Sequence, residues 1–203
     1  MDKAIKYFPL ALLIFHMVGI GIFLYFKQAP ELSFVNILLS AILVFVSEKD
    51  LKKAFIPFII IFISGFVIEL IGVQTGYLFG DYVYHSSMGP QLFGTPLIIG
   101  ATWYAVVAGA SSLAVLVKGS MLARSVLAGM LSTLMDVLIE QVAVKYGFWQ
   151  WDQGQIPFFN YVCWFAFATA FSYLYLNVSA SGNKIGRYLF FIWIVFFTTL
   201  TFF

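Results

Sequence analysis

Long apolar segments joined by short polar connections constrain the fold of this chain more than any other feature. The hydrocarbon core of a bilayer is about 30 Å thick, so a transmembrane helix needs roughly 20 apolar residues, or about 17 at the short end. The candidate segments are residues 7–26, 32–47, 54–73, 97–117, 121–144, 158–178 and 187–203, of which the second and seventh are the shortest. We predict an all-α integral membrane protein with about seven transmembrane helices, forming one polytopic domain over residues 1–203.

The composition indicates that lipid surrounds the chain. It is 62% hydrophobic and 20% aromatic, and only 10% of its 203 residues are charged, so a soluble domain of this size could not bury its apolar surface. The net charge of +2 is too small to indicate a nucleic-acid partner. The single cysteine, Cys163, excludes an internal disulfide and is expected to pack in the interior. The first apolar segment is too long for a signal-peptide core and lacks a small-residue cleavage site, so we interpret it as a retained anchor.

Lysine and arginine are distributed unequally between the two predicted sides of the membrane. If all seven segments cross, nine of these residues lie on one side: Lys3, Lys6, Lys49, Lys52, Lys53, Lys118, Arg124, Lys184 and Arg187. Two, Lys27 and Lys145, lie on the other side. The positive-inside rule then places the N-terminus in the cytoplasm and the C-terminus outside the cell membrane. It also places both long connections, residues 74–96 and 145–157, on the outer side.

The two outer connections share a spaced pattern of residues. In each, a glutamate is followed at offsets of 4, 7, 8 and 12 by valine, glycine, an aromatic residue and aspartate, and a later proline precedes a tryptophan by seven residues. The first set is Glu69, Val73, Gly76, Tyr77, Asp81, Pro96 and Trp103, and the second is Glu140, Val144, Gly147, Phe148, Asp152, Pro157 and Trp164. The second connection has the shorter insert. We predict an internal parallel repeat, with units at about 54–117 and 121–178, about an axis along the membrane normal.

Three acids lie within the predicted spans. At 1.5 Å per residue, Glu69 and Glu140 lie about 22 Å along their helices and Asp136 about 16 Å along its helix. No lysine or arginine lies inside the central spans to pair with them. Burial and a neighbouring carboxyl group both favour the neutral form of an acid, so at least one of the three should be protonated at neutral pH, as a general acid requires. A structural hydrogen bond between helices is the alternative, but three acids, two of them related by the repeat, favour function.

Other polar and aromatic residues have two possible roles. Asp81 and Asp152 lie in polar connections, where a solvated or helix-capping role competes with a catalytic one. His16 stands alone in mid-helix and is expected to be a hydrogen-bonded packing residue. An aromatic belt at the membrane interface is the default interpretation of the tyrosines and tryptophans of the outer connections, namely Tyr77, Tyr82, Tyr84, Trp149 and Trp151.

Two tryptophans lie deeper than the belt. Trp103 and Trp164 each fall about two turns inside a helix, where their ring faces could stabilise a positive charge next to the acids. The sequence contains no metal-ligand spacing, phosphate-binding loop, dinucleotide fingerprint or nucleophile elbow. We therefore predict no metal and no cofactor.

Two motifs resemble those of a known family. The pattern E-x-x-G-V-x-T-G-x-x-F-G-x-Y-x-Y, from Glu69 to Tyr84, followed by GPQLFGTPLIIGATW, from Gly89 to Trp103, resembles the carotenoid biosynthesis family of CruF-type hydratases. These are also called bisanhydrobacterioruberin hydratases or gamma-carotene hydroxylases. The stretch IPFFNYVCW, residues 156–164, resembles the second motif of that family. The resemblance extends over roughly residues 54–178 and brings no residue roles with it.

The resemblance implies a membrane enzyme that adds water across the terminal double bond of an acyclic carotenoid end and forms a tertiary alcohol. Such a cofactor-independent hydro-lyase would protonate the alkene and capture the tertiary carbocation with water, which requires a neutral acid, aromatic ring faces and a path for water. We predict Glu69 and Glu140 as the acid/base pair and Asp136 as the residue that tunes them. Asp81 and Asp152 would order the water, and the pocket would be lined by Trp103, Trp164, Tyr82 and Tyr84.

Two other functions fit the same residues. An enzyme similar to lycopene cyclases would begin with the same protonation, but an internal double bond would capture the cation. A proton-coupled transporter would also retain acids inside the membrane. Transporters often have inverted repeats and broken helices, whereas the repeat predicted here is parallel and the central segments read as continuous helices. The predicted partners are therefore a carotenoid substrate and the membrane, with no nucleic acid.

Overall fold

A computed structural model of the chain describes residues 2–26, 32–152 and 154–203, and it contains the predicted membrane-type helical fold. After a single turn, Asp2–Ile5, the described residues form seven longer helices. These are α1 (Phe8–Tyr25), α2 (Leu32–Val46), α3 (Leu51–Thr75), α4 (Ile99–Ala114), α5 (Met121–Lys145), α6 (Phe158–Val178) and α7 (Lys184–Phe202). Five of them, α1, α3, α5, α6 and α7, are long and apolar enough to cross a membrane, and α2 and α4 are shorter. Lys27, one of the two basic residues predicted on the outer side, lies outside the described residues, and so does the side chain of Lys3.

The lengths of the helices differ from the prediction in two places. The seventh segment was predicted to be short, but α7 begins three residues earlier and has 19 residues, because the Asn183 side chain accepts hydrogen bonds from the backbone N–H groups of Ile185 and Gly186 and caps the helix. The fourth segment was predicted to cover residues 97–117, but α4 has only 16 residues, because Leu97 and Ile98 form a turn after the strand Thr95–Pro96, and the helix gives way to a turn after Ala114. The second segment is short, as predicted, with 15 residues in α2.

Helix α4 occupies the centre of the bundle. Fourteen of its sixteen residues are buried, and many of them are alanine, glycine or serine. Small residues allow helix backbones to approach closely in a membrane protein. A Cβ atom at Gly100 would lie 2.4 Å from the Phe62 carbonyl oxygen of α3, and one at Gly109 would lie 3.0 Å from the Gly186 carbonyl oxygen of α7. The small side chains of α4 therefore let α3 and α7 pack directly against it.

The two outer connections meet in a small antiparallel ribbon. Strand β1 (Tyr82–Tyr84) pairs with β4 (Trp149–Trp151) in the register Tyr82 to Trp151, Val83 to Gln150 and Tyr84 to Trp149. A second pair, β2 (Gln91–Leu92) with β3 (Thr95–Pro96), forms within the first connection. Polar connections without strands were predicted here. The β1–β4 ribbon joins the segments that follow α3 and α5, so the C-terminal ends of these two helices both lie beneath it.

The predicted repeat is matched by the backbone only as far as its glycine. Gly76 and Gly147 both have left-handed φ angles, 67° and 68°, where the chain leaves α3 and α5, and this conformation favours glycine. Beyond them the connections differ, because Asp81 immediately precedes β1 whereas Asp152 immediately follows β4. The internal duplication itself stays a prediction.

A buried polar cluster that the sequence analysis missed lies at the opposite end of the bundle. Glu48, next to α2, accepts hydrogen bonds from the Tyr175 hydroxyl (2.5 Å), the Ser179 hydroxyl (2.8 Å) and the Asn183 amide (2.9 Å). These donors belong to the end of α6 and to the residue that caps α7. Glu48 therefore ties the α2–α3 connection to the α6–α7 connection.

We expect Glu48→Ala to destabilise the protein, because it would leave three donors around Glu48 without their acceptor. The loss should be about 3 kcal/mol, at the upper end for an unsatisfied buried group, which lowers the unfolding midpoint of a domain of this size by roughly 6 to 12 °C. Thermal unfolding of the purified protein in detergent measures this. Lys49→Ala, at the exposed neighbouring position, is the control and should leave the midpoint unchanged. Equal midpoints for the two variants would contradict a stabilising role for the cluster.

Candidate active site

A largely apolar cavity lies under the β1–β4 ribbon, at the ends of α3 and α5. Its lining atoms enclose about 980 Å³ of space, a volume that includes part of the open surroundings. All three predicted intramembrane acids and all four predicted pocket aromatics line it, together with polar and aromatic residues that the prediction did not assign to a pocket. The lining includes Glu69, Asp136, Glu140, Tyr82, Tyr84, Trp103, Trp164, Trp149, Trp151, His16, Asn36, Asn160 and Trp193.

Glu69 of α3 is buried and accepts hydrogen bonds on both carboxyl oxygens. The Tyr82 and Tyr84 hydroxyls donate to Oε2 at 2.5 and 2.9 Å, and the Trp103 indole N–H donates to Oε1 at 3.0 Å. Alternate side chains of a strand point to the same face, so Tyr82 and Tyr84 both reach Glu69 from β1. An aromatic belt was the default interpretation of these tyrosines, and the family resemblance led us to predict them as pocket residues; their hydrogen bonds to a buried acid were not predicted.

Glu140 of α5 is held in a similar way by the other strand. The indole N–H groups of Trp149 and Trp151 both donate to its Oε2, at 3.0 and 2.9 Å. These two tryptophans were predicted to lie at the membrane interface, and their contact with Glu140 was not predicted. One sequence signal could have indicated this contact. In WQW, as in YVY, aromatic residues alternate with another residue, and each stretch follows a glutamate that lies within a predicted transmembrane helix.

The ribbon brings the two donor sets face to face. The rings of Tyr82 and Trp151 have centroids 4.9 Å apart, and those of Tyr84 and Trp149 have centroids 5.5 Å apart. Both pairs follow directly from the strand register. The two glutamates therefore lie beneath one continuous aromatic surface, each on the side of the strand that binds it.

The two tyrosines remain neutral donors at physiological pH. Burial, and after it the nearby Glu69 carboxyl, raises the pKa of Tyr82 and of Tyr84 well above the usual value for a phenol. A phenol with a raised pKa keeps its proton. Both hydroxyls can therefore donate to Glu69 over the whole physiological pH range.

Asp136 lies one helical turn from Glu140 on the same face of α5, as the spacing predicts. It is buried, and the Asn160 side-chain amide of α6 donates to its Oδ2 at 2.9 Å. Asn160 is part of IPFFNYVCW and was not predicted as a site residue. Its buried amide fixes one side of the Asp136 carboxyl group and ties α6 to α5.

Trp103 and Trp164 stack on each other in the wall of the cavity. Their ring centroids are 3.9 Å apart, with an angle of 14° between the planes. Each ring therefore covers one face of the other, and Trp103 additionally donates to Glu69. The predicted contact of these ring faces with a cationic substrate stays a prediction.

Gly65 of α3 makes room for Trp103. A Cβ atom at Gly65 would lie 2.7 Å from Cβ of Trp103, whereas one at Gly21 of α1 would have no atom within 4 Å. We expect Gly65→Ala to displace Trp103 and to lower the unfolding midpoint, while Gly21→Ala should raise the midpoint slightly because alanine favours a helix by about 1 kcal/mol. Thermal unfolding of both variants in detergent, followed by tryptophan fluorescence, tests this. A midpoint for Gly65→Ala equal to or above that for Gly21→Ala would contradict the close contact.

His16 is a hydrogen-bonded packing residue, in agreement with the interpretation from the sequence. The Trp193 indole N–H can only donate, so His16 Nε2 accepts from it at 2.8 Å. His16 Nδ1 must then carry the proton and donate to the Leu12 carbonyl oxygen at 2.7 Å. Both ring nitrogens are satisfied, and the imidazole is neutral in this arrangement.

Asp81 and Asp152 are not among the residues that line the cavity, which fits the solvated role left open by the sequence, and their predicted part in ordering water stays a prediction. Both are exposed. They flank Tyr82 and Trp151, whose side chains point inward, and neighbouring residues of a strand point to opposite faces. The backbone N–H of Asp152 donates to the Asp81 carbonyl oxygen at 3.0 Å, so these residues extend the ribbon on its solvent-facing side.

The described part of the chain contains no group of three or more His, Cys, Asp or Glu residues arranged to hold a metal ion. The two glutamates are held by hydrogen-bond donors, and no ion pair with a cation is found for them among the described residues. The arrangement can exchange protons with a bound molecule in an apolar, aromatic environment.

Comparison with known proteins points to one family. The sequence profile of the family described as "Carotenoid biosynthesis protein" matches residues 32–203. The chain is also 30% identical over 122 residues to a protein named bisanhydrobacterioruberin hydratase from Haloarcula japonica, an alignment that includes 56% of this chain and 41% of that protein. This chain thus corresponds to less than half of that relative. No solved structure matches the chain.

Proposed function

Because the chain belongs to the carotenoid biosynthesis protein family, we propose that it is a carotenoid hydratase that adds water across the terminal double bond of an acyclic carotenoid end. The name of the Haloarcula japonica relative supports hydration as the reaction class. The observation that carries the proposal is the pair of buried glutamates, Glu69 and Glu140, held by aromatic donors in one largely apolar cavity.

The chemistry of alkene hydration matches what this cavity supplies. Proton transfer to a trisubstituted alkene gives a tertiary carbocation, and water then adds to the cationic carbon. One group must donate a proton to carbon and another must accept a proton from water. Oxidation state is conserved overall, so the proposed reaction is a hydro-lyase step that needs no redox cofactor.

The proposed roles follow the positions of the side chains. Glu69 and Glu140 form the acid/base pair, and Asp136, one turn from Glu140, tunes them. Tyr82 and Tyr84 hold the Glu69 carboxyl group. Trp103 and Trp164 line the pocket, where the available ring faces would stabilise the cation.

The orientation of the protein in the membrane is part of the proposal. The 9 to 2 distribution of lysine and arginine favours a cytoplasmic N-terminus and a C-terminus outside the cell membrane. The cavity would then lie in the outer half of the bilayer. A carotenoid is long enough to span much of the bilayer, so its reacting end would lie near the outer interface, where water is available.

Expression in a lycopene-producing host tests the reaction. We expect a product heavier than the substrate by one or two water molecules, with oxygen-18 from labelled water in its hydroxyl group and undiminished formation without molecular oxygen. Mass analysis of the extracted pigments measures all three quantities, and the host without the protein is the control.

Other outcomes of this experiment would identify other functions. A product of unchanged mass with a ring at its end would indicate a cyclase-like enzyme, in which an internal double bond captures the cation. Label from oxygen gas in the hydroxyl group would indicate an oxygenase. Either result would contradict the hydratase proposal.

A further inference from the structure

We propose that Glu140 is the proton donor of this site and Glu69 its base, and that Trp149 and Trp151 place the transferable proton on Oε1 of Glu140. This inference rests on the proposed hydratase function and assigns opposite roles to two glutamates that the sequence pattern treats as equivalent. Two observations support it: which oxygen of each carboxyl group accepts hydrogen bonds, and whether the donor is an indole or a hydroxyl group.

The two indoles determine where Glu140 can hold a proton. An indole N–H donates and cannot accept, and the N–H groups of Trp149 and Trp151 both point at Oε2. Two donors occupy both lone-pair positions of that oxygen, so Oε2 is an acceptor whether Glu140 is neutral or ionised. A proton on Glu140 must therefore sit on Oε1. Among the described residues no hydrogen bond reaches Oε1, which leaves this oxygen free to meet a bound molecule.

Glu69 is arranged as an acceptor instead. It receives three hydrogen bonds on two oxygens, from the Tyr82 and Tyr84 hydroxyls at Oε2 and from the Trp103 indole at Oε1. An ionised carboxylate has about four acceptor positions, so one position remains, on Oε1. That position can accept a proton from a water molecule, and the three donors steady the carboxylate while it does so.

Asp136 is the rival donor, because only its Oδ2 is occupied, by the Asn160 amide. The ribbon favours Glu140 over Asp136. The strand that binds Glu140 faces the strand that binds Glu69, with Tyr82 and Trp151 in ring contact, whereas Asp136 lies one turn before Glu140 in α5 and therefore farther from the ribbon. A terminal double bond held under the ribbon would therefore have the donor, Glu140, on one side and the base, Glu69, on the other. Asp136 would lie beside the rest of the polyene.

The proposed reaction has two proton transfers and one addition of water. The proton on Oε1 of Glu140 passes to the less substituted alkene carbon, and the π electrons form the new C–H bond. The oxygen of a water molecule bonds to the tertiary cationic carbon, and one of its protons passes to Glu69. A proton then returns from Glu69 to Glu140 through solvent, which restores both groups for the next turnover.

Deuterium incorporation separates the two roles. In heavy water, a variant that lacks only Glu69 still protonates the alkene from Glu140, and the cation then loses a proton from an adjacent methyl group to the Glu140 carboxylate. We expect Glu69→Gln to form about 10²- to 10⁴-fold less alcohol but to place deuterium in the isomerised, unhydrated carotenoid. Glu140→Gln should form neither the alcohol nor labelled carotenoid above the level without protein. Asp136→Asn should still transfer deuterium to the carotenoid.

Three outcomes would overturn the assignment. Label transfer by Glu140→Gln but not by Glu69→Gln would reverse the roles, loss of label only in Asp136→Asn would make Asp136 the donor, and loss in both glutamate variants would remove the division between them. Alcohol formation by the wild-type protein is measured in parallel. A wild-type protein that forms no alcohol would refute the proposed function, and this inference with it, so the two failures are distinguished.

The positioning role of the indoles has its own test. The double variant Trp149→Phe/Trp151→Phe removes the two N–H donors and keeps aromatic rings in β4. We expect kcat to fall about tenfold or more with KM nearly unchanged, and the pH profile of kcat to move. Gln150→Ala, on the exposed face of the same strand, is the control and should retain the wild-type kcat and pH profile. A folded double variant with the wild-type kcat and pH profile would contradict the role of the indoles.

Discussion

Glu69→Gln is expected to lower hydration by about 10²- to 10⁴-fold, the range for loss of a general acid or base, while the protein stays folded. Glutamine keeps the size of the side chain, and its carbonyl oxygen can still accept from the Trp103 indole. Its amide can donate to the Tyr82 and Tyr84 hydroxyls, which rotate to accept. The substitution therefore removes proton exchange and retains the hydrogen-bond network. The rate of carotenoid hydration by the purified protein in detergent measures the effect, and the unfolding midpoint shows whether the variant is folded.

The matched control is Asp81→Asn. Asp81 is the second acid of the same motif, but its side chain is exposed and lies on the outer face of the ribbon. We expect its amide variant to retain turnover within about twofold, the range of a surface change of at most 0.5 kcal/mol. If Glu69→Gln retained full activity while Asp81→Asn lost it, the buried carboxyl group would not be part of the reaction.

A reporter fused after Phe203 is expected to be active only on the non-cytoplasmic side of the membrane. The physical reason is the 9 to 2 distribution of lysine and arginine, which orients short loops strongly. A reporter inserted after Lys118, in the exposed connection between α4 and α5, should be active only in the cytoplasm. A pair of reporters active on opposite sides of the membrane measures both positions in the same cells.

The lengths of α2 and α4 indicate how a C-terminal reporter that is active in the cytoplasm would be interpreted. Helix α2 has 15 residues and α4 has 16, so each extends only about 22 to 24 Å at 1.5 Å per residue, less than the hydrocarbon core. A cytoplasmic C-terminus would indicate that one of these two helices does not cross the membrane. The proposed location of the cavity near the outer interface would then have to be revised.

The sequence alone determined the helical membrane fold and the three buried acids. Length and hydropathy define a transmembrane helix locally, because each helix satisfies its own backbone hydrogen bonds. A constant rise per residue then places Glu69, Asp136 and Glu140 at comparable depths. The turns at Gly76 and Gly147 could also be predicted from the sequence, because a helix end and the glycine that follows it are neighbours in the chain.

Only the tertiary structure decided which side chains hold the acids. The strands YVY and WQW have three residues each and lie 64 residues apart, so their pairing depends on how α3 and α5 pack. From the sequence, Trp149 and Trp151 were assigned to an interfacial belt, and Tyr82 and Tyr84 were predicted to line the pocket without their hydrogen bonds to Glu69. The pairing turns all four aromatic side chains toward the glutamates and turns Asp81 and Asp152 away. Glu48 and its donors were hidden for the same reason, because a contact between residues more than 120 positions apart leaves no local pattern.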